Sequence, residues 1–179
     1  MTPGPSGPLA IILLCIAVIA YDLLFRRVPN WLLLAALGIH AGWLVGTGQG
    51  PGGISVSQSL IGGFIGLVLF LPLYALRAMG AGDVKFFALL GLMMGTSALL
   101  PVWLIGSVIA GLHAVAWYVA SRQLVMLPAW NLLTDKVTGN SWYQAMLKNR
   151  KGRRGIPYAA YLAIGAIAIS TTRTVFAQG

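Results

Sequence analysis

The sequence predicts an all-α membrane protein, a single bundle of about six transmembrane helices. Of the 179 residues, 58% are hydrophobic and only 8% are charged, whereas a soluble domain carries about 25% charged residues. The mean hydropathy is +0.84, and the long apolar runs show no strand-like alternation. Helices satisfy their own backbone polar groups, as lipid requires. We therefore expect residues 1–179 to form one membrane-embedded domain.

Six apolar runs approach or reach the roughly 20 residues that a helix needs to cross a bilayer. They are Pro8–Phe25, Trp31–Val45, Ile54–Leu76, Val84–Leu100, Val102–Ala120 and Ile156–Val175. The second run is the shortest, and a locally thinner bilayer would accommodate it. The first run has no Lys or Arg before it and ends in an aspartate and two arginines. We interpret it as a retained helix, because a secretory signal peptide has a basic start and a small-residue cleavage site.

Proline and glycine mark the breaks between these runs. Pro29 cannot continue a helix, and Asn30 is a good N-cap for the second helix. The stretch GTGQGPGG, residues 46–53, predicts a turn, and Pro101 is predicted to separate the fourth and fifth helices. Glycines spaced four apart indicate close helix packing. They are Gly38, Gly42 and Gly46, Gly62 and Gly66, and Gly91 and Gly95.

The basic residues predict the orientation of the bundle. Arg26 and Arg27 follow the first helix, Arg77 and Lys85 flank the third connection, and seven more lie in the connection 121–155. Cytoplasmic loops are enriched in Lys and Arg, so we expect these three connections inside the cell and both termini outside, with Arg173 as the one exception. The net charge of +9 then reflects orientation, and no nucleic-acid partner is expected. The connection 121–155 also has aromatic residues suited to lying on anionic lipid.

Only three acidic residues occur, Asp22, Asp83 and Asp135, and no glutamate. An ionisable residue at membrane depth is costly and marks a functional site by default. Asp22 lies one turn before the first helix leaves the membrane, and Asp83 lies where the fourth helix enters from the same side. Both therefore lie at similar depth on the predicted cytoplasmic side. Asp135 lies among polar loop residues, where we expect it to be solvated.

Two nearby carboxyl groups suggest an acid–base pair. They repel each other, so that one keeps a proton while the other stays ionised. In aspartic proteases the ionised member activates water and the protonated member assists the carbonyl. Each acid also has an ordinary interpretation: Asp83 as the N-cap of the fourth helix, and Asp22 as the partner of Arg26 four residues later. The sequence does not assign the proton to either acid.

The residues around Asp83 predict a shaped site. Gly80 and Gly82 permit unusual backbone angles and close approach of a substrate chain. Lys85 is two positions from Asp83 on a helix, so we expect its side chain to extend toward the interface.

Other chemistries have little support. The single Cys15 excludes an intramolecular disulfide and a multi-cysteine zinc site. His40 and His113 have no nearby acid and are interpreted as bundle residues. Ser107 and His113 are six apart on one helix, which is poor geometry for a nucleophile and its base. We expect no metal and no cofactor.

With these residues identified, the chain resembles the prepilin peptidases, membrane aspartic proteases of the GxGD type. It is most similar to the short form associated with tight-adherence (Flp, type IVb) pili. Asp22 with Arg26-Arg27-Val28-Pro29-Asn30 matches the first aspartate box, and Gly80-Ala81-Gly82-Asp83-Val84-Lys85 matches the second. Gly155-Ile156-Pro157-Tyr158 resembles a third, less specific element.

The resemblance implies cleavage of a short basic leader from a prepilin or pseudopilin precursor at the cytoplasmic face of a bacterial inner membrane. Asp22 and Asp83 would be catalytic without a metal, and the other box residues would bind substrate or shape the site. These are Gly80, Gly82, Lys85, Arg26, Pro29 and Asn30. Longer relatives have an N-terminal cysteine-containing region and methylate the new N-terminus, so methyltransferase activity is not expected here.

Two other classes of function remain open from the sequence. A small ion- or proton-coupled carrier would use the same aspartates to bind or relay cations. Carrier sites usually lie at the midplane of the membrane, however, and both acids are predicted near one surface. A non-enzymatic pilus assembly subunit is the third possibility. The sequence does not give the oligomeric state.

Overall fold

The computed structural model describes residues 6–51, 53–123 and 157–178, and this part of the chain is helical. The helices are α1 (Ser6–Phe25), α2 (Asn30–Thr47), α3 (Val56–Ala75), α4 (Ala81–Met94), α5 (Thr96–Gln123) and α6 (Tyr158–Gln178). The all-α prediction and the six predicted helices are confirmed. Asp135 and the basic connection beyond residue 123 lie outside the described residues.

Four of the helices are long and apolar enough to cross a membrane. These candidate spans are Gly7–Phe25, Asn30–Thr47, Val56–Ala75 and Thr96–Ala120. Helix α4 has only 14 residues, most of them buried by the other helices. At 1.5 Å per residue it is about 21 Å long, shorter than the hydrocarbon core of a bilayer. It therefore lies inside the protein instead of forming a lipid-facing span.

The break between α4 and α5 lies at Gly95, so the prediction that Pro101 separates these helices was wrong. Gly95 has a φ of 76°, a backbone conformation that residues with a Cβ rarely adopt. Its N–H closes α4 by donating to the carbonyl of Gly91 over 2.9 Å. Pro101 lies inside α5, where it removes one backbone donor and the helix continues.

Glycine contacts hold α3 against α4, as the spacing of Gly62, Gly66 and Gly91 predicts. A Cβ built on Gly62 would clash with the carbonyl oxygen of Gly91, and one on Gly91 would clash with that of Gly62. Gly38, Gly42 and Gly46 of α2 make no such contact within the described part of the chain. A Cβ at these positions has no described atom within 4 Å.

Helix α6 lies between α1 and α5, and both pack extensively against it, whereas α1 and α4 make almost no direct contact. Gly165 brings α6 close to α5, because its Cβ would lie 2.7 Å from the carbonyl oxygen of Val102. The helix next to the C-terminus is thus the element that joins the start of the chain to the rest of the bundle.

Different helix ends meet at the two ends of the bundle. The end of α1, the start of α4 and the start of α6 meet at one of them, here called the site end. At the opposite end Arg173 donates to the carbonyl of Met94 over 3.0 Å and to the Ser97 hydroxyl over 2.8 Å. Arg173 thus caps the C-terminus of α4, where a cation is favourable. This contact gives a structural reason for Arg173, the one basic residue that does not fit the predicted orientation. The orientation itself stays a prediction.

His40 is a buried bundle residue that links three helices. Its Nε2 lies 2.9 Å from the Ser59 hydroxyl, which donates to the carbonyl of Leu92 over 2.6 Å. Because that carbonyl can only accept, the single hydroxyl proton of Ser59 is committed to it, and His40 Nε2 must carry the proton that bonds Ser59.

Substituting Gly91→Ala should destabilise the protein by about 1–3 kcal/mol, because the added methyl group forces two helix backbones apart. The matched control is Gly42→Ala, also inside a helix, where alanine meets nothing and is the better helix former. The free energy of unfolding in detergent, measured by denaturant titration, tests this. Equal stability of the two variants would contradict the α3–α4 packing.

Candidate active site

Asp22 lies near the end of α1 and is buried, with 5% of its surface exposed. Its Oδ2 accepts a hydrogen bond of 3.1 Å from the backbone N–H of Ala160, in the first turn of α6. Just beyond, Arg26 adopts a left-handed backbone with a φ of 54°, and its N–H donates to the carbonyl of Asp22 over 3.0 Å. A non-glycine residue in this conformation costs roughly 1–3 kcal/mol. This turn ends α1 one helical turn after the acid.

Asp83 is the third residue of α4, not its N-cap as one interpretation predicted. Gly80 is the N-cap, with φ −74° and ψ 146°, and the side chain of Asp83 reaches back to accept the Gly80 N–H over 3.3 Å. An acid in this position satisfies one of the unpaired donors that begin a helix. Asn30 was also predicted to be an N-cap, but Pro29 occupies that position before α2.

Helix α6 brings the two acids close together. The backbone N–H of Ala159 acts electrostatically on both carboxyl groups, and the charge of Asp22 acts on Asp83. The structure brings the acids of α1 and α4 together through a third helix.

The environment of Asp83 favours its protonated form. Asp83 precedes the apolar run of α4 and lies outside the four candidate spans. Burial, and then the charge of Asp22, raise the pKa of Asp83 to about 6, although the backbone donors Gly80 and Ala159 act in the opposite direction. This carboxyl group therefore holds a proton at a pH where an ordinary aspartate is ionised.

The glycines of this segment matter for their size rather than for unusual backbone angles. The φ of Gly80 is one that any residue adopts, and Gly82 has no positive φ, so the prediction of unusual angles was wrong. A Cβ on Gly80 would lie 3.1 Å from Oδ2 of Asp83, which is a tight contact. A Cβ on Gly82 would lie 3.4 Å from Cβ of Val28, an ordinary contact.

The remaining box residues lie in the loop after α1, at the start of α2 and in the first turns of α4. Lys85 is exposed and donates to Oδ1 of Asn30 over 3.2 Å, which ties α4 to the start of α2. The guanidinium of Arg26 is half-buried and acts electrostatically on Asp22 and on Tyr161 of α6.

Sequence reasoning missed the role of the first turn of α6. It noted Pro157 and Tyr158 only as a less specific element and assigned nothing to Ala159 and Ala160. The available signal was Pro157 directly before the apolar run, because proline commonly begins a helix whose first N–H groups lack helical partners.

The described residues contain no group of three His, Cys, Asp or Glu side chains placed to hold a metal ion. Ser107 is hydrogen-bonded to the Tyr158 hydroxyl over 3.0 Å, and His113 lies against the ring of Tyr161 with centroids 5.8 Å apart. The structure thus gives Ser107 and His113 different partners.

Replacing Asp22 by Asn should lower the pKa of Asp83, because it removes a negative charge that opposes ionisation. The carboxyl infrared band, titrated against pH, measures this. In the Asp135→Asn variant, Asp22 and Asp83 are the only side-chain carboxyl groups. In the Asp135→Asn, Asp22→Asn double variant, Asp83 is the only one. An Asp83 midpoint that stays unchanged would mean that the two carboxyl groups do not interact.

A known protein family matches the sequence of this chain. The sequence model of the type IV leader peptidase family matches residues 9–115, more than half of the chain. No curated protein and no solved structure gives a match. The matched region includes both candidate acids and ends before α6. The chain belongs to the type IV leader peptidase family.

Proposed function

We propose that this protein is an aspartic endopeptidase that removes the short basic leader of prepilin or pseudopilin precursors. The observation that carries the proposal is the convergence of Asp22 and Asp83 on one turn of α6, where the charge of one acts on the other. Two of the three acids in the chain are used in this way. Membership of the family supplies the class of substrate.

In the proposed reaction the ionised carboxylate takes a proton from a water molecule, whose oxygen attacks the carbonyl carbon of the scissile peptide bond. The protonated carboxyl group gives its proton to the carbonyl oxygen. When the tetrahedral intermediate collapses, the C–N bond breaks and the leaving amine takes the proton that the first carboxyl group had removed from water. A hydroxyl group of the intermediate returns its proton to the other carboxylate as the new carboxyl terminus forms, so the pair again holds one proton and one charge.

When the pair holds one proton, we assign that proton to Asp83 and the charge to Asp22. Burial and the charge of its neighbour raise the pKa of Asp83 to about 6. Asp22 is also buried, which opposes its charge, but its carboxyl group accepts the N–H of Ala160 and has the positive charge of Arg26 nearby. Donors and cations of this kind favour a carboxylate over a carboxylic acid.

The proposed site opens to the cytoplasm of a bacterial inner membrane. Arg26, Arg27 and Lys85 belong to the site end, and basic residues favour the cytoplasmic side. The two boxes, Arg26–Asn30 after Asp22 and Gly80–Lys85, support the short form associated with tight-adherence pili.

The residues beside the acids have shaping roles in this proposal. Gly80 leaves space for the carboxyl group of Asp83, and Gly82 lets the start of α4 lie against the loop after α1. The hydrogen bond from Lys85 to Asn30 holds α2 and α4 together next to Pro29.

Asp22→Asn and Asp83→Asn should each lower cleavage by on the order of 10²–10⁴-fold, because each removes one partner of the acid–base pair. The protein is co-expressed with a tight-adherence prepilin, and the intact mass of the pilin is measured. Asp135→Asn is the matched control and should cleave as the wild type does. Normal cleavage by either site variant would exclude the pair, and aspartate-dependent ion flux would then favour a carrier.

Gly80→Ala should reduce the cleavage rate about tenfold while the protein stays folded, because the methyl group displaces the carboxyl group of Asp83 by a few tenths of an ångström. Gly82→Ala, in the same motif, makes only an ordinary contact and should reduce the rate less. Initial rates on a purified precursor test the order of the two variants, and the reverse order would contradict the proposed geometry.

A further inference from the structure

We propose that the first turn of α6, Tyr158–Ala160, is a third component of the catalytic site that positions Asp22. This inference rests on the proposed function. The region that matches the family ends at residue 115, so the turn lies outside it. Ala160 acts through Asp22 and is therefore a positioning residue.

The contact that carries the inference is the hydrogen bond from the N–H of Ala160 to Oδ2 of Asp22, which is buried and 3.1 Å long. Ala160 is the third residue of α6, and the N–H groups of a first helical turn have no partner inside the helix. The helix therefore gives this donor to the carboxylate without losing a bond of its own.

The neighbouring residue extends the same arrangement to the second acid. The N–H of Ala159 acts electrostatically on both carboxyl groups, and a helix N-terminus favours negative charge. One turn of backbone thus acts on both members of the pair, although they come from α1 and α4.

Side chains of neighbouring helices contact Tyr158 and fix the N–H donors of the turn in place. The hydroxyl of Tyr158 bonds Ser107 of α5 over 3.0 Å. The ring of Tyr158 lies 6.4 Å from that of Phe70, which stacks on Phe87 of α4 at 4.1 Å. Ala159 and Ala160 are both fully enclosed, at 0% and 1% exposure.

A positioned carboxylate needs no reorientation when the water molecule is deprotonated, which is how preorganisation lowers a barrier. Losing the Ala160 donor should therefore slow the chemical step and leave substrate binding intact.

The test replaces the N–H of residue 160 alone, by incorporating lactic acid in place of alanine, so that the amide becomes an ester and the methyl side chain is retained. We expect kcat to fall about 10- to 100-fold, with KM within about twofold of the wild type. Cleavage of a purified precursor is measured for the full-length protein in detergent.

The matched control is the same ester at Ala163, a buried residue of α6 whose N–H belongs to the interior of the helix. It weakens the helix without touching a carboxylate and should keep kcat. An ester at 160 that leaves kcat unchanged would overturn the inference, as would an equal loss from the ester at 163. If the proposed function itself fails, Asp22→Asn and Asp83→Asn cleave normally, which is a separate result.

Discussion

The need to hold two carboxyl groups inside an apolar bundle governs the arrangement at its site end. A buried carboxylate without hydrogen-bond donors is costly. Backbone N–H groups at helix starts meet the need: Ala160 of α6 serves Asp22, and Gly80 before α4 serves Asp83. The first turns of two helices therefore have to lie beside the acids, and this fixes where α4 and α6 begin.

Close packing makes that placement possible. Gly62 and Gly91 let α3 hold the short α4 inside the bundle, and Gly165 lets α6 approach α5. Membrane helices gain little from the hydrophobic effect between them, so small residues that allow backbone approach decide which helices pair. The same contacts hold Tyr158 against Ser107 and Phe70. The geometry of the acids thus depends on glycines far from them.

Much of this architecture is predictable from the sequence, because composition determines which segments form helices and the charges of the loops indicate their orientation. The apolar runs predicted six helices, and the topology put Asp22 and Asp83 at one end. The break at Gly95 and the exposed glycines of α2 were not predictable by the same means. Both depend on which helix faces pack against each other, and many helix faces in this protein are equally apolar. The Ala160 contact was missed for a related reason, since an alanine contributes only its backbone and that leaves no mark in the sequence.

The account depends most on Asp22 and Asp83 acting as one unit, with one proton and one charge between them. The direct measurement is the single-turnover cleavage rate of Asp22→Asn, Asp83→Asn and the double variant on one purified precursor. Residues that act as a unit lose almost all of their effect in the first substitution. The account predicts that the double variant is no slower than the slower single variant. A double variant whose loss equals the product of the two single losses would mean that the acids act independently, and would contradict the pair.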